Sequence, residues 1–210
     1  MNVVFDFGAV LFTWKPADLL STSFPQRAGD AQSAASLAHA VFGHADWHSF
    51  DRGALNLDEV IARTAERLAL DATVLGEMAA HISDHLAPMA ATLDILERLH
   101  CLRDQQPALR LYYLSNMPVP YARELERRHA FLQWFDGGIF SGDAKATKPD
   151  PAIYRLLQTR YALDPAQTVF IDDLKSNVRA ASDLGWHGIH FESAPQLQTR
   201  LQALAIMGQT

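Results

Sequence analysis

Short, continuous apolar runs occur at the start of the chain and throughout its second half. Four of them are rich in β-branched and aromatic residues and cover residues 3–5, 109–114, 168–171 and 188–191. A fifth, shorter run covers residues 138–140. Continuous rather than alternating apolar runs are typical of strands buried on both faces of a parallel sheet. The pattern therefore predicts five buried parallel strands.

Helical periodicity fills the segments between these runs. It predicts helices over about residues 92–103, 119–129, 151–161 and 176–184. Pro151 in a first turn and Gly185 just past a helix end are the usual start and stop signals. Strands that alternate with helices predict an α/β fold with a doubly wound, Rossmann-like parallel sheet.

One long segment breaks this alternation. Residues 15–88 contain no convincing strand pattern and show helical patterns at 31–41, 57–69 and 71–85. We therefore expect a core formed by residues 1–14 and 89–210, with a helical cap of residues 15–88 inserted after the first strand. Ligands of open α/β sheets bind at the carboxyl ends of the strands. Functional side chains should accordingly follow the apolar runs.

Composition and charge narrow the class of protein. The 210 residues are 49% hydrophobic and 20% charged, which is typical of a globular protein. A net charge of −6 argues against nucleic-acid binding, although local cations can still bind a small anion. Cys101 is the single cysteine, the first residues begin the strand pattern directly, and no apolar run approaches a membrane span. We expect a cytoplasmic monomer or homodimer that binds no membrane.

Polar residues follow the strands as expected, and a lysine precedes the helix that begins at Pro151. This set consists of Asp6, Ser115, Asn116, Lys148, Asp172 and Asp173. Clustered carboxylates suit Mg²⁺, while a hydroxyl, backbone N–H groups at a helix start and a lysine suit phosphoryl oxygens. A carboxylate kept ionised by a metal and a lysine can attack phosphorus and form an aspartyl phosphate.

Four ordered segments carry a specific family resemblance. They are residues 3–11 (Val-Val-Phe-Asp-Phe-Gly-Ala-Val-Leu), 114–116 (Leu-Ser-Asn), 141–154 and 169–185. Together they resemble the four motifs of the haloacid dehalogenase-like hydrolase superfamily, and the insertion resembles its helical cap type. The Asp-Phe-Gly-Ala-Val opening is similar to the branch that contains a bacterial glucose-1-phosphate phosphatase.

The resemblance implies a role for each of the polar residues. Asp6 is the expected nucleophile, and Lys148 is the second catalytic residue. The expected Mg²⁺ ligands are Asp6, the backbone carbonyl of Gly8 and Asp172, with Asp173 in or near the shell. The phosphate group is expected to contact Ser115, Asn116 and Lys148. The predicted function is Mg²⁺-dependent hydrolysis of a small phosphomonoester, with sugar phosphates among the candidates.

Gly8 departs from the motif of this superfamily. Most of its phosphatases have a second aspartate at this position, which protonates the leaving oxygen and later activates water. Such a group contributes about 10²- to 10⁴-fold in rate, or roughly 3–5 kcal/mol. Three explanations are open: a leaving group that needs little help, such as an anomeric hydroxyl; a proton from water or a cap residue such as His48 or Asp51; or halide departure, which needs no proton.

Two alternatives belong to other classes. One is a metal-independent 2-haloacid dehalogenase or phosphonatase-type hydrolase, and the paired acids Asp172 and Asp173 argue against it. The other is a non-catalytic ligand-sensing protein. The intact Asp6, Lys148 and Asp172 argue against that alternative.

The segments around the first motif and in the cap supply further candidates. Trp14 and Lys15 must lie near Asp6, and they are candidate substrate-lining residues together with Trp47 and His48. Cap packing is the alternative for Trp47 and His48, which belong to an aromatic–polar cluster with Phe50, Asp51 and Arg52.

Four other features have plainer interpretations. His81 and His85 have helical i, i+4 spacing, but the glutamate of a metalloprotease helix is absent, so a solvated or packing pair is favoured over a zinc site. Asp173 fits an N-cap as well as a ligand, and Asn177 either orients the acidic loop or packs. An exposed helix face explains Arg123, Arg127 and Arg128.

Overall fold

A five-stranded, fully parallel sheet forms the centre of the protein, as predicted. The computed structural model describes residues 1–208. The strands are β1 (Asn2–Phe5), β2 (Arg110–Ser115), β3 (Gly137–Phe140), β4 (Thr168–Asp172) and β5 (His187–His190). Their order in the sheet is β3-β2-β1-β4-β5, so that the N-terminal strand is central.

Helices cover both faces of the sheet. Those that follow β1 are α1 (Pro16–Ser23), α2 (Ala31–Phe42), α3 (Ala45–Asp51), α4 (Leu57–Leu68), α5 (Ala72–Ala80) and α6 (Ala90–Leu102). Those that follow β2 are α7 (Val119–Arg128), α8 (Ser141–Ala144), α9 (Pro151–Arg160), α10 (Lys175–Asp183) and α11 (Ala194–Ala203). Short 3₁₀ turns occupy Ile82–His85, Ala130–Trp134 and Pro165–Gln167.

Alternate residues of each strand enter two separate hydrophobic clusters. Val3 and Phe5 pack in the larger cluster, which includes buried residues of α6, α7 and α11. Val4 packs in the smaller cluster, which includes buried residues of α9 and α10. Because successive strand side chains point to opposite faces, burial on both sides explains why the strand sequences are continuously apolar.

Helices α1 to α5 lie between β1 and β2 in the chain, in residues 15–88, which are called the helical insertion below. The larger hydrophobic cluster continues into it through Leu20, Val41 and Leu75. Capping boxes begin α2 at Asp30 and α4 at Asn56, which explains where these two helices start. Helices α1 and α3 are additions to the elements that the periodicity predicts.

The two ends of the helical insertion are joined to each other. The backbone N–H of Thr13 donates to Ala87 O at 2.8 Å, and that of Met89 donates to Leu11 O at 2.8 Å. Entry into and exit from the insertion therefore lie side by side, directly after β1. Across residues 1–208, none of the helices combines the length and apolar character needed to cross a membrane.

Candidate active site

The polar residues that follow the strands meet at one edge of the sheet. Asp172 and Ser115 are the last residues of β4 and β2, the two strands that flank β1. Asp6 follows β1 directly, and its backbone N–H donates to Ile171 O at 2.9 Å. The parallel register pairs Phe5 with Ile171, which brings Asp6 level with Asp172. The topology thus brings together residues that are more than 160 positions apart in the chain.

Lys148 forms ion pairs with both of these aspartates. Its Nζ lies 2.8 Å from Oδ1 of Asp6 and 2.6 Å from Oδ2 of Asp172, and all three side chains are buried. Burial alone lowers the pKa of Lys148, but the facing carboxylates of Asp172 and Asp6 outweigh it and raise this pKa overall. The ammonium group therefore stays charged inside the protein.

Asn116 holds the backbone of Lys148 in place. Its Nδ2 donates to Lys148 O at 2.9 Å, and its Oδ1 accepts from Lys148 N at 2.8 Å. The side chain that we expected to contact a phosphate group is thus occupied with the lysine loop. Ser115 is buried and lines the same cavity as Lys148.

Asp172 is fixed by two donors besides Lys148, which form three hydrogen bonds with it. Its Oδ1 accepts from Leu174 N at 2.8 Å, and Nδ2 of Asn177 donates to both carboxylate oxygens at 3.0 and 3.1 Å. Of the two interpretations of Asn177, the structure therefore supports orientation of the acidic loop. No side-chain cap is found at α10, whose N-cap residue is Leu174, so Asp173 does not act as an N-cap.

Three carboxylates form a group that suits a metal ion. Asp6, Asp172 and Asp173 each offer an oxygen, and these oxygens lie within 4.8 Å of one another. Lys148 and Phe7 N both contact Oδ1 of Asp6, which leaves Oδ2 for another partner. Three carboxylates against one lysine leave two negative charges, which a divalent cation would balance. The hard oxygen donors and the charge therefore fit Mg²⁺.

Titration of Asp6 reflects the same crowding of negative charge. Burial raises the pKa of Asp6 to about 7, with Lys148 lowering it and Asp172 and Asp173 raising it further. Burial, followed by repulsion from Asp172, also raises the pKa of Asp173. A bound cation would favour the ionised form of both groups.

A cavity of about 270 Å³ opens above these groups. The sheet side supplies charged and polar residues to it, including Asp6, Gly8, Ser115, Asn116, Lys148, Asp173 and Asn177. A more apolar wall, called the insertion wall below, comes from the helical insertion, from Trp14 directly before it and from the segment after β2. Its residues are Trp14, Phe42, Trp47, His48, Asp51, Ile82, Leu86, Met117, Pro118 and Tyr121. Leu174, whose side chain is 54% exposed, also lines the cavity.

Aromatic rings connect the insertion to the sheet domain across this wall. Each ring of this series contacts the next one edge to face. The ring centroids are 5.1 Å apart for Trp14 and Phe42, 4.6 Å for Phe42 and Trp47, 5.5 Å for Trp47 and Phe50, and 5.7 Å for Phe50 and Tyr121. This geometry is the one that aromatic quadrupoles favour. The hydroxyl of Tyr121 donates to Ala79 O at 2.7 Å, which further fixes α5 against α7.

Three of the four candidate substrate-lining residues border this cavity, and the fourth does not. Trp14, Trp47 and His48 line the cavity, and their contact with a substrate stays a prediction. Lys15 differs: it is exposed and borders a separate cavity of about 170 Å³ with Asp18 and His85. The reason is that Lys15 is the N-cap residue of α1, where the chain turns away from β1.

The histidine pair and the arginine group lie outside the cavity. Helix α5 ends at Ala80, so His81 and His85 do not share one helix, and Nδ1 of His81 lies 2.8 Å from Asp84. Arg123, Arg127 and Arg128 are exposed and form ion pairs with Glu126, Glu124 and Asp84 among others. The exposed-face interpretation of the arginines is confirmed.

Sequence reasoning missed Phe42 and Tyr121 as cavity residues. Phe42 is the last residue of α2, and nothing in its sequence context indicates proximity to Asp6. Tyr121 is different, because it lies six positions after Ser115, in the first turn of the helix that follows β2. The rule that places functional residues after strands would have found it if extended into the next helix.

Comparisons with known proteins support the resemblance. A sequence profile described as haloacid dehalogenase-like hydrolase matches residues 4–185. The sesquiterpene phosphatase astK of Aspergillus oryzae is 25% identical over 205 residues, which cover 98% of this chain and 95% of that protein.

Two solved structures show the same fold. One is the HAD family enzyme bt-2542 of Bacteroides thetaiotaomicron in complex with magnesium and inorganic phosphate, with a TM-score of 0.69, 18% identity and coverage of 91% of this chain and 93% of that one. The other is the L-2-haloacid dehalogenase of Xanthobacter autotrophicus, with a TM-score of 0.65, 21% identity and coverage of 99% and 83%. Since the family profile spans most of the chain, the predicted superfamily is confirmed: the chain belongs to the haloacid dehalogenase-like hydrolases.

Proposed function

We propose that this protein is a Mg²⁺-dependent phosphomonoester hydrolase that works through an aspartyl phosphate on Asp6. The observation that carries this proposal is the group of three carboxylate oxygens within 4.8 Å, of which Asp6 and Asp172 share Lys148. A haloacid dehalogenase needs a nucleophilic aspartate but no divalent cation. The third carboxylate, Asp173, therefore favours the phosphatase over that alternative.

Each residue of the sheet side has a role in this proposal. Asp6 attacks phosphorus through one oxygen of its carboxylate, and Lys148 and Phe7 N hold that carboxylate in place. Lys148 and the Ser115 hydroxyl stabilise the charge on the transferring phosphoryl group. Asn116 keeps Lys148 in position and offers its backbone N–H to the phosphate group.

Asp6, Asp172, Asp173 and the backbone carbonyl of Gly8 are the proposed Mg²⁺ ligands. When bound, the cation would neutralise surplus negative charge at the phosphoryl group. Asn177 and Leu174 N hold Asp172 in one orientation, as the supporting groups of a metal ligand do.

The helical insertion is proposed to act as the cap, with the boundaries predicted from the sequence. Its aromatic wall covers the cavity opposite Asp6 and would exclude bulk water from the reaction. Inside a closed site of this kind, charge interactions between Lys148 and a phosphoryl group are stronger than in water.

The organic part of the substrate is proposed to be apolar or aromatic. Most residues of the insertion wall are aromatic or aliphatic, and His48 and Asp51 are the polar side chains that the insertion presents to the cavity. Sugar hydroxyls need several polar partners, so this wall suits a sugar phosphate poorly. The similarity to a sesquiterpene phosphatase points the same way. The sugar phosphate of the glucose-1-phosphate phosphatase branch stays the alternative.

A phosphate-release screen tests the proposal. The panel contains alkyl, isoprenyl, aryl and sugar phosphomonoesters, each assayed with Mg²⁺, with EDTA and with Asp6→Asn. We expect inorganic phosphate from apolar esters, abolished by EDTA and by the substitution. Turnover that survives chelation, or halide release from a 2-haloacid, would contradict the proposal, and Mg²⁺ binding without any turnover would support a ligand-sensing protein.

A further inference from the structure

Asp51 is one of the two polar residues that the helical insertion contributes to the cavity wall, the other being His48. It is the last residue of α3, and it lines the same cavity of about 270 Å³ as Asp6, Gly8 and Lys148. Burial is the cause that raises the pKa of the Asp51 carboxyl to about 7, and no charged side chain within residues 1–208 lowers it. A large fraction of this carboxyl group is therefore protonated at neutral pH.

The backbone around Asp51 is fixed to the sheet domain rather than free to move with the insertion. Ser141 Oγ, on α8, donates to Asp51 O at 2.6 Å, and Lys145 Nζ donates to Gly53 O at 3.0 Å. Gly53 has φ +68°, and a Cβ there would lie 2.7 Å from Gly142 O. Only glycine permits this close approach, which ties the end of α3 to the core.

Other titratable groups around the cavity are less suited to proton transfer. His48, one turn earlier on α3, is exposed to solvent, and the Tyr121 hydroxyl on α7 donates a hydrogen bond to Ala79 O. The groups on the sheet side are Asp6, Lys148 and Asp173, which belong to the nucleophile, the phosphate contact and the metal group. Asp51 is left as a half-buried acid that forms no ion pair within residues 1–208.

Position 8 lacks the side chain that this chemistry requires. A Cβ on Gly8 would meet only Cβ of Trp14, at 3.8 Å, so the glycine is not demanded by crowding. A general acid is nevertheless needed to expel an alkoxide. We propose, on the basis of the proposed function, that Asp51 is the general acid and base of this site and replaces the group absent at Gly8.

The proposed proton transfers balance over the two steps. In the first, a carboxylate oxygen of Asp6 bonds to phosphorus and the bond from phosphorus to the ester oxygen breaks. The Asp51 carboxyl gives its proton to that ester oxygen, which leaves as an alcohol. In the second, the Asp51 carboxylate takes a proton from water as the water oxygen bonds to phosphorus. The bond between phosphorus and Asp6 breaks, and phosphate is released with Asp51 protonated again.

Two esters with different leaving groups test this role. An alkyl ester such as benzyl phosphate needs a proton on its leaving oxygen, whereas para-nitrophenyl phosphate needs little help. For Asp51→Asn we expect kcat/KM of the alkyl ester to fall about 10²- to 10⁴-fold. For the nitrophenyl ester we expect kcat/KM to stay within about tenfold, while kcat falls and a burst of para-nitrophenolate appears because hydrolysis of phospho-Asp6 has lost its base.

Matched variants make these results specific. Asp46→Asn is the control, since Asp46 is an acid of the same helix that pairs with Arg63 and does not line the cavity. Asp51→Ser is a second variant at the site itself, in case the asparagine disturbs folding. Gly8→Asp in the Asp51→Asn background should restore at least about tenfold of the alkyl-ester activity, because a Cβ at position 8 makes only an ordinary contact with Trp14.

The outcomes separate this inference from the proposed function. An equal loss on both esters, no loss on either, or the same signature in His48→Gln instead of Asp51→Asn would overturn the role of Asp51 while leaving the phosphatase standing. Failure of the unmodified protein to release phosphate from any ester would overturn both.

Discussion

The two walls of the cavity are built on opposite principles. The sheet wall includes Asp6, Lys148 and Asn177, which are joined to each other or to the buried Asp172 behind them by hydrogen bonds and ion pairs of 2.6–3.1 Å. The insertion wall is held by ring packing between aromatic side chains, with centroid distances of 4.6–5.7 Å.

This difference separates chemistry from selectivity. Buried charges are costly unless each has fixed partners, so the sheet wall tolerates little change in geometry. Ring packing is less directional and accepts substitutions of similar volume. We therefore expect changes in the sheet wall to abolish turnover or metal binding, and changes in the insertion wall to alter substrate preference.

The largest expected effect lies at the nucleophile. Asp6→Asn should reduce phosphate release on the order of 10⁶-fold, as removal of a nucleophile does elsewhere, because an amide cannot form the aspartyl phosphate. The measurement is kcat on the best ester of the panel. Asp143→Asn is the control, since Asp143 is exposed on α8 and pairs with Arg123 outside the cavity. Comparable losses of kcat in both variants would argue against a specific role for Asp6 and against the contrast between the two walls.

The second-largest effect is expected at Asp172, a proposed Mg²⁺ ligand. Asp172→Asn places an amide against Lys148 and Asn177 in a fully buried site, so we expect the free energy of unfolding to fall by about 3 kcal/mol. Mg²⁺ binding, followed by calorimetry, should be lost as well. Urea unfolding measures the stability change, and an unaltered Mg²⁺ affinity would argue against a role for this carboxylate as a ligand.

A smaller effect is expected on the insertion wall. Trp14 is half-buried against Phe42, and Trp14→Leu should raise KM for apolar esters about tenfold with little change in kcat, because it removes contacts with the organic part of the substrate. Inhibition by inorganic phosphate, which lacks that part, should stay the same. Trp134→Leu, outside the cavity, is the control. A loss confined to kcat in Trp14→Leu would contradict the assignment of substrate preference to the insertion wall and of turnover to the sheet wall.

The smallest effect concerns the stability cost of Asp51. Because its pKa is raised from 3.8 to about 7, the folded protein keeps a proton that the unfolded chain has lost between these values. The contribution of Asp51 to the free energy of unfolding therefore falls as the pH rises from about 4 to 7, and it is constant above pH 7. Asp51→Asn removes this dependence, so its Tm should exceed that of the unmodified protein by a few degrees at pH 8.

The advantage of Asp51→Asn should shrink toward pH 5, where less of the cost is present. Thermal unfolding at the two pH values checks the prediction. An equal shift at both, or a lower Tm at pH 8, would mean that the carboxyl group is not strained by burial.

Local sequence was sufficient for most of the sheet domain. The strand at 3–5 and the helix at 151–161 each differ from β1 and α9 by one residue at one end, because apolar runs and Pro151 act over a few neighbouring positions. Helices α8 and α11 of the sheet domain and α1 and α3 of the insertion were not predicted. Helix α8 spans four residues and α3 seven, and α1 begins at Pro16 with no side-chain cap. Helices this short are stabilised mainly by tertiary packing, which a local sequence pattern does not reveal.

The sequence by itself determined the order of the strands along the chain and which residues follow them, since these properties depend on local pattern. It thereby placed Asp6, Ser115 and Asp172 at one sheet edge. Only the tertiary structure decided that Lys148 bridges two aspartates and that Asn116 holds the backbone of Lys148. It also decided that Lys15 borders a separate cavity and that Asp51 lines the same cavity as Asp6. These contacts join segments far apart in the chain, and no local pattern specifies such distances.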